Sequence, residues 1–93
     1  MNKYELLYII SSAADEEARE AIIKKFNDMI IADGGEIESV EKIGMKKFAY
    51  PIQDRNEGFY CLVNFTANPS LLIEMEKAMA LTEHFVRKMF IKK

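Results

Sequence analysis

From Phe59 to Thr66 the chain reads FYCLVNFT, an alternation regular enough to tell the two sides of a strand apart. Side chains two residues apart share a face of a strand. Phe59, Cys61, Val63 and Phe65 therefore share one side, and Tyr60, Leu62, Asn64 and Thr66 the other. The second set ends on polar residues, which marks it as the side turned away from the core. Tyr60 and Leu62 are then expected to be uncovered, and the strand must belong to a sheet with only one covered face.

The rest of the chain supplies that sheet and its cover. Tyr4 to Ile10 (YELLYII) is apolar and β-rich, and Ser11-Ser12 is a turn signal, so a buried, central strand precedes the first turn. Asp15-Glu16-Glu17 puts negative charge at the positive end of a helix dipole. Ala18, Ile22, Phe26, Met29 and Ile30 recur at helical spacing, and Gly34-Gly35 stops the helix near Asp33. Glu36 to Ile52 is a long extended segment. Its apolar residues Ile37 and Val40 fall three apart rather than two, and Gly44 interrupts it again, which predicts bulges at both points. Asp54-Arg55-Asn56-Glu57-Gly58 reads as a turn that makes a hairpin of this segment and the alternating strand. Asn68-Pro69 caps and opens a second helix with the stripe Leu72, Met75 and Met79, ending near Leu81. Phe85 to Ile91 closes the chain as a strand.

The order strand, helix, strand, strand, helix, strand defines an α+β, ferredoxin-like βαββαβ fold: a four-stranded antiparallel sheet with two helices on one face. Right-handed crossovers put the first and third strands in the middle. A chain of 93 residues, 49% hydrophobic and 30% charged, suits one domain over residues 1–93. It buries only about 60–65% of its unfolded surface, which leaves little room for an enclosed active site.

The uncovered sheet face is where function is expected. Whichever side of the first strand faces out brings two large apolar groups with it. With Leu7 and Ile9 outward, they join Tyr60 and Leu62 in an apolar patch of a kind soluble monomers avoid, so a partner should cover it. Ordinary scattered surface apolars are the competing reading, since much of any protein surface is apolar. A homodimer through this face is a further alternative.

Charge is unevenly shared. The net charge is −2. Residues 1–41 hold four basic side chains (Lys3, Arg19, Lys24, Lys25) against ten acidic ones, −6, and residues 42–93 hold nine against five, +4. Lys42, Lys46 and Lys47 gather near Gly44, and Arg87, Lys88, Lys92 and Lys93 occupy the closing strand and terminus. Beside the first strand, this last group lies near Lys3. Such cations can neutralise phosphates, or can simply keep an edge strand from aggregating.

Catalytic chemistry finds no support. His84 is the only histidine and Cys61 the only cysteine, so neither a triad nor a thiolate metal site can be composed, and no internal disulfide is possible. No GxSxG, GxxxxGK[ST] or GxGxxG occurs. An RNA-recognition motif would need aromatics two apart where Cys61 and Val63 follow Phe59, and a metal chaperone would need a mate for Cys61. No catalytic residue, cofactor, metal or small-molecule substrate is expected. No stretch has the length of a signal peptide core or a membrane span, which points to a cytoplasmic protein with no membrane partner.

Gly44-Met45-Lys46-Lys47-Phe48-Ala49-Tyr50-Pro51-Ile52 resembles the signature of the sixth protein of the bacterial small ribosomal subunit, with Phe48 in place of the usual leucine. The similarity runs the whole length: Tyr4-Glu5 opens the first strand, Gly34 ends the helix, Gly58 follows the hairpin turn, and Phe85, Arg87 and Met89 match the closing strand. The resemblance implies a ribosomal protein that binds 16S ribosomal RNA in the central domain together with the eighteenth small-subunit protein. By position it implies Lys3, Lys46, Lys47, Arg87 and Lys92 as phosphate contacts. Arg87 and Met89 would border the partner protein, alongside Leu7, Tyr60 and Leu62 of the open face. The runner-up reading is a regulatory protein-interaction or small-ligand module on the same fold.

Overall fold

Helix α1 (Glu16–Ala32) begins where the sequence concentrates negative charge. Asp15 Oδ1 accepts from the Ala18 amide at 2.8 Å, and Glu16 and Glu17 occupy the first turn, satisfying one free amide and the helix dipole together. At the far end the two glycines do different jobs. Gly34 takes the left-handed conformation, φ +82°, that ends the helix. Gly35 is needed for space: a Cβ there would stand 2.5 Å from the Thr66 carbonyl oxygen and 3.0 Å from that of Ile30.

The computed structural model describes the backbone of residues 1–52 and 55–93 and the side chains of residues 1–47 and 57–93. Its elements run β1 (Asn2–Ser11), α1, β2 (Glu36–Ile52), β3 (Arg55–Ala67), α2 (Pro69–Leu81) and β4 (Phe85–Lys92). The sheet order is β2-β3-β1-β4, with β1 antiparallel to both β3 and β4 and β2 antiparallel to β3. The expected middle pair and the four-stranded antiparallel sheet are both present. The two foreseen irregularities of β2 are there too, as register shifts between Ile37 and Ser39 and between Lys42 and Gly44.

Two boundaries differ from expectation. Arg55 to Gly58 belong to β3 rather than to a turn, while Gln53 and Asp54 lie outside the described residues. The last β1–β3 pair is Ser11 with Gly58, yet β2 and β3 continue to pair Lys47 with Glu57. This hairpin arm projects beyond β1, so it has less core to face, and its polar composition reads as a turn. In α2 the buried residues are Leu71, Met75 and Met79, with Leu72 only partly buried. Spacings of four carry the stripe back to Leu71.

The core lies between the helices and one face of the sheet. Tyr4, Leu6, Tyr8 and Ile10 come from β1, Phe59, Cys61, Val63, Phe65 and Ala67 from β3, and Ile22, Ile23, Phe26 and Ile30 from α1. Tyr8 ties three elements together. Its ring is edge-on to Phe26 of α1 at 5.8 Å and stacked on Phe85 of β4 at 5.9 Å, and those two meet at 5.7 Å. Such pairs are each worth about 0.5–1.5 kcal/mol beyond the area they bury.

The faces follow parity. Val63 is 1% exposed, and its neighbour Leu62, half-buried, looks out from the other side. A buried, unpaired carboxylate costs several kcal/mol against a total stability of roughly 5–15 kcal/mol. Val63→Asp is therefore expected to abolish the cooperative thermal transition seen by circular dichroism, while Leu62→Asp retains one. Equal losses in the two variants would refute the face assignment.

Candidate functional site: the open sheet face and its cations

Because β1 is flanked by β3 and β4, its outward residues fix the rows of the open face. Leu62, Leu7 and Met89 stand side by side across β3, β1 and β4, and Tyr60, Ile9 and Arg87 form the next row. All five residues assigned to a partner surface, Leu7, Tyr60, Leu62, Arg87 and Met89, thus share one continuous face. Leu7, Ile9, Arg87, Lys88 and Met89 line a shallow groove of about 210 Å³ on this edge.

The face is less open at its centre than the sequence implied. Tyr60 and Leu62 are half-buried rather than exposed, and Ile9 is buried, because large neighbours on adjacent strands cover them. Exposure moves to the β4 edge, where Met89 is 55% and Ile91 44% exposed. Ile91 was missed, although the same two-residue spacing from Met89 would have found it. Asn64, Glu5 and Ile91 make a third, more polar row. There Lys93 Nζ donates to Asn64 Oδ1 at 2.5 Å and lies 3.4 Å from Glu5 Oε2, while Asn64 Nδ2 donates to Ser39 Oγ at 3.0 Å.

The five expected phosphate contacts are not one cluster. Lys46 and Lys47 sit on the hairpin arm opposite Gly58 and Glu57. Lys3 and Lys92 stand at the other end, opposite Thr66 and Tyr4. The backbone of Lys93 donates to the Lys3 carbonyl at 2.9 Å, so the closing strand does bring its cations to Lys3 as expected. Arg87 lies between, beside Ile9. The basic run of β4 is also divided by face: Arg87 shares the open side with Met89, and Lys92, five residues on, falls on the helix side with Tyr4.

Several other cations are committed within the fold. Lys42 Nζ reaches both Glu20 carboxylate oxygens, at 2.6 and 2.8 Å, and Lys24 reaches Asp28 at 2.8 Å. The Arg19 guanidinium lies 4.2 Å from the centre of the Phe59 ring. The groove between α1 and β2, lined by Glu20, Lys24, Asp28 and Lys42 with Ile23, Asn27 and Val40, therefore has its charges paired internally. His84 serves the backbone: at φ 69° it turns the chain into β4, and its carbonyl accepts from the Ser11 amide at 2.6 Å.

Cys61 and Tyr8 face each other across β3 and β1 in the core. The Tyr8 hydroxyl has no regular hydrogen-bond partner, and the neighbouring thiol is a weak one. Burial pushes the Tyr8 phenol well up, and the adjacent Cys61 adds to the shift. Burial also raises the Cys61 thiol above its ordinary 9.0, outweighing the opposing Tyr8 hydrogen bond and Lys42 charge. Neither group is a nucleophile at neutral pH. Both acids hold their protons more tightly when folded, so their contribution to stability is complete below about pH 9 and is lost as pH rises, by at most about 1.4 kcal/mol per unit per proton. The melting temperature is expected to fall as pH rises from about 9 to 10, while most lysines remain charged, and Cys61→Ala should flatten that slope. A wild-type melting temperature unchanged over this range would contradict it.

Among the described residues, no group of three His, Cys, Asp or Glu side chains could hold a metal ion, and no helix is long and apolar enough to cross a membrane. The site is thus an apolar sheet face bordered by cations on a ferredoxin-like domain. Similarity to known proteins gives the family. The family Ribosomal protein S6 matches residues 3–92. Small ribosomal subunit protein bS6 of Exiguobacterium sibiricum is 44% identical over 92 residues, covering 99% of this chain and 97% of that one. The bS6 of Clostridium novyi is 44% identical over 91 residues, covering 98% and 96%. The crystal structure of 30S ribosomal protein S6 from Thermotoga maritima superposes with a TM-score of 0.92 at 32% identity, covering 99% of this chain and 87% of that one. The C-terminal domain of the MgtC protein from Mycobacterium tuberculosis, with a TM-score of 0.62 and 11% identity, shares the fold alone. The chain belongs to the ribosomal protein S6 family. It is a structural protein of the small ribosomal subunit, located in the cytoplasmic ribosome, and not an enzyme.

Proposed function

We propose that this protein binds 16S ribosomal RNA in the central domain of the small subunit, jointly with the eighteenth small-subunit protein. The observation that carries this reading is the apolar row Leu62, Leu7 and Met89 across an unpartnered sheet face, with Arg87 in the adjoining row and lysines at both ends. In this reading Leu7, Tyr60, Leu62, Met89 and Arg87 meet the partner protein, and Lys3, Lys46, Lys47, Arg87 and Lys92 meet phosphates.

The charge balance argues for joint binding. The net charge is −2, Arg19, Lys24 and Lys42 are engaged inside the fold, and the other cations are dispersed over the surface, which limits counterion release as a source of RNA affinity. A partner that covers the apolar face and adds its own cations supplies both deficits. In a filter-binding titration with a central-domain fragment, the partner is expected to raise the affinity at least tenfold. Equal affinity with and without it would contradict the reading. Leu62→Asp should remove most of that gain, since it places a charge in the middle of the covered face.

The cations are tested separately. Reversing Arg87 and Lys92 to glutamate should lower RNA affinity and reduce the slope of its logarithm against that of salt concentration by about 0.7–0.9 for each phosphate no longer neutralised. Lys24 and Lys25 form the control, since Lys24 is held by Asp28 and Lys25 by the Thr82 hydroxyl on the helix layer. An equal loss from reversing the control pair would overturn the assignment of the RNA-binding residues.

A further inference from the structure

We propose that the protein touches two separate stretches of RNA backbone, one at the hairpin arm and one at the corner where β1 begins and β4 ends, and holds them apart. The proposal rests on the RNA-binding reading above and adds the geometry of binding. Lys46 lies opposite Gly58 and Lys3 opposite Thr66 on the same strand β3. At about 3.3 Å per residue, these positions are roughly 26 Å apart along the sheet.

The surface between them cannot carry a continuous phosphate track. A backbone running straight along the sheet from one end to the other would pass over Tyr60, Leu62, Ile9 and Leu7, where a phosphate would give up water without gaining a cation. Arg87 stands off this line, two strands from Tyr60 on the β4 edge. The hairpin end offers Lys46 and Lys47, both exposed, Lys46 level with the end of β1 and Lys47 just beyond it. The opposite corner offers exposed Lys3 on the open side and exposed Lys92 beside it on the helix side of the sheet edge. Lys3 is 3.7 Å from Glu38 with both side chains well exposed, and an ion pair of that kind costs little to exchange for a phosphate. Two groups of cations with an apolar interval fit two backbone segments with protein packed between them.

Tethered cleavage tests this. An iron chelate is attached to single cysteines introduced by Lys46→Cys or Lys92→Cys, with Cys61 left in place because it is buried. A Glu57→Cys tether, opposite Lys47, repeats the hairpin position without removing a lysine, and a Lys24→Cys tether on α1 gives the background. Each labelled protein, checked for folding by circular dichroism, is assembled with the central-domain fragment and the eighteenth small-subunit protein. Cuts from the hairpin and corner tethers should fall in different helices or loops of the RNA. Overlapping cuts in one helix, or background-level cutting from either position in an assembled complex, would overturn the two-segment geometry while leaving RNA binding intact. Failure of the unlabelled protein to bind the fragment, with or without its partner, would overturn the underlying reading and the proposal with it.

Discussion

The pairing of β1 with β3 is the constraint on which the rest of the molecule depends. The two strands are matched without a shift from Asn2 with Ala67 to Ser11 with Gly58. One register therefore decides which side of both strands is covered. A slip of one residue would turn Leu6, Tyr8, Val63 or Phe65 out to solvent and bring Glu5, Asn64 or Thr66 into the core. The helices attach to the face so chosen, and β4 takes its place from β1. The apolar character of the opposite face follows from the same register: once Tyr8 and Cys61 point inward, Leu7 and Leu62 must point out together.

An acidic protein of a ribonucleoprotein divides its charges by location. Arg19 lies on Phe59, and Lys24 and Lys42 are held by carboxylates of α1. These cations are already matched by neighbours of the opposite sign or by an aromatic face. Lys46 and Lys47 stand instead on the hairpin arm, and Lys92 at the end of β4. The sum over the chain, −2, conceals this arrangement. Net charge describes long-range attraction, and binding to a phosphate depends on the few cations that project where carboxylates do not.

Most of the architecture is legible in the sequence because period two and period four are both clear. Both β2 bulges can be placed from Ile37, Val40 and Gly44, since each breaks the alternation. The arm at Arg55 to Gly58 reads as a turn because its residues are polar or glycine, and pairing by backbone alone leaves no mark on side-chain choice. The open face is recoverable by counting in twos, which is how Leu7, Tyr60 and Leu62 come together, whereas Met89 enters only through the family resemblance. The degree of exposure is not recoverable. Ile9 is covered by side chains from strands far away in sequence, and only the register between strands says which ones. The cations expected to meet RNA fare similarly: proximity in sequence groups Arg87 with Lys92, and the pleat of β4 puts them on opposite faces.

The central position of β1 bears on how the domain is made. Its partners lie at the far end of the chain, with Tyr4 paired to Lys92 and Asn2 to Ala67. A growing chain therefore holds its most apolar strand unpaired on one edge until residue 92 has emerged, long after the β2–β3 hairpin can close on its own. Non-local pairing of this kind folds slowly and leaves a bare strand edge in the interval. The segment YELLYII spends that time as a sticky nascent edge, and so the first strand made is the last to be sealed.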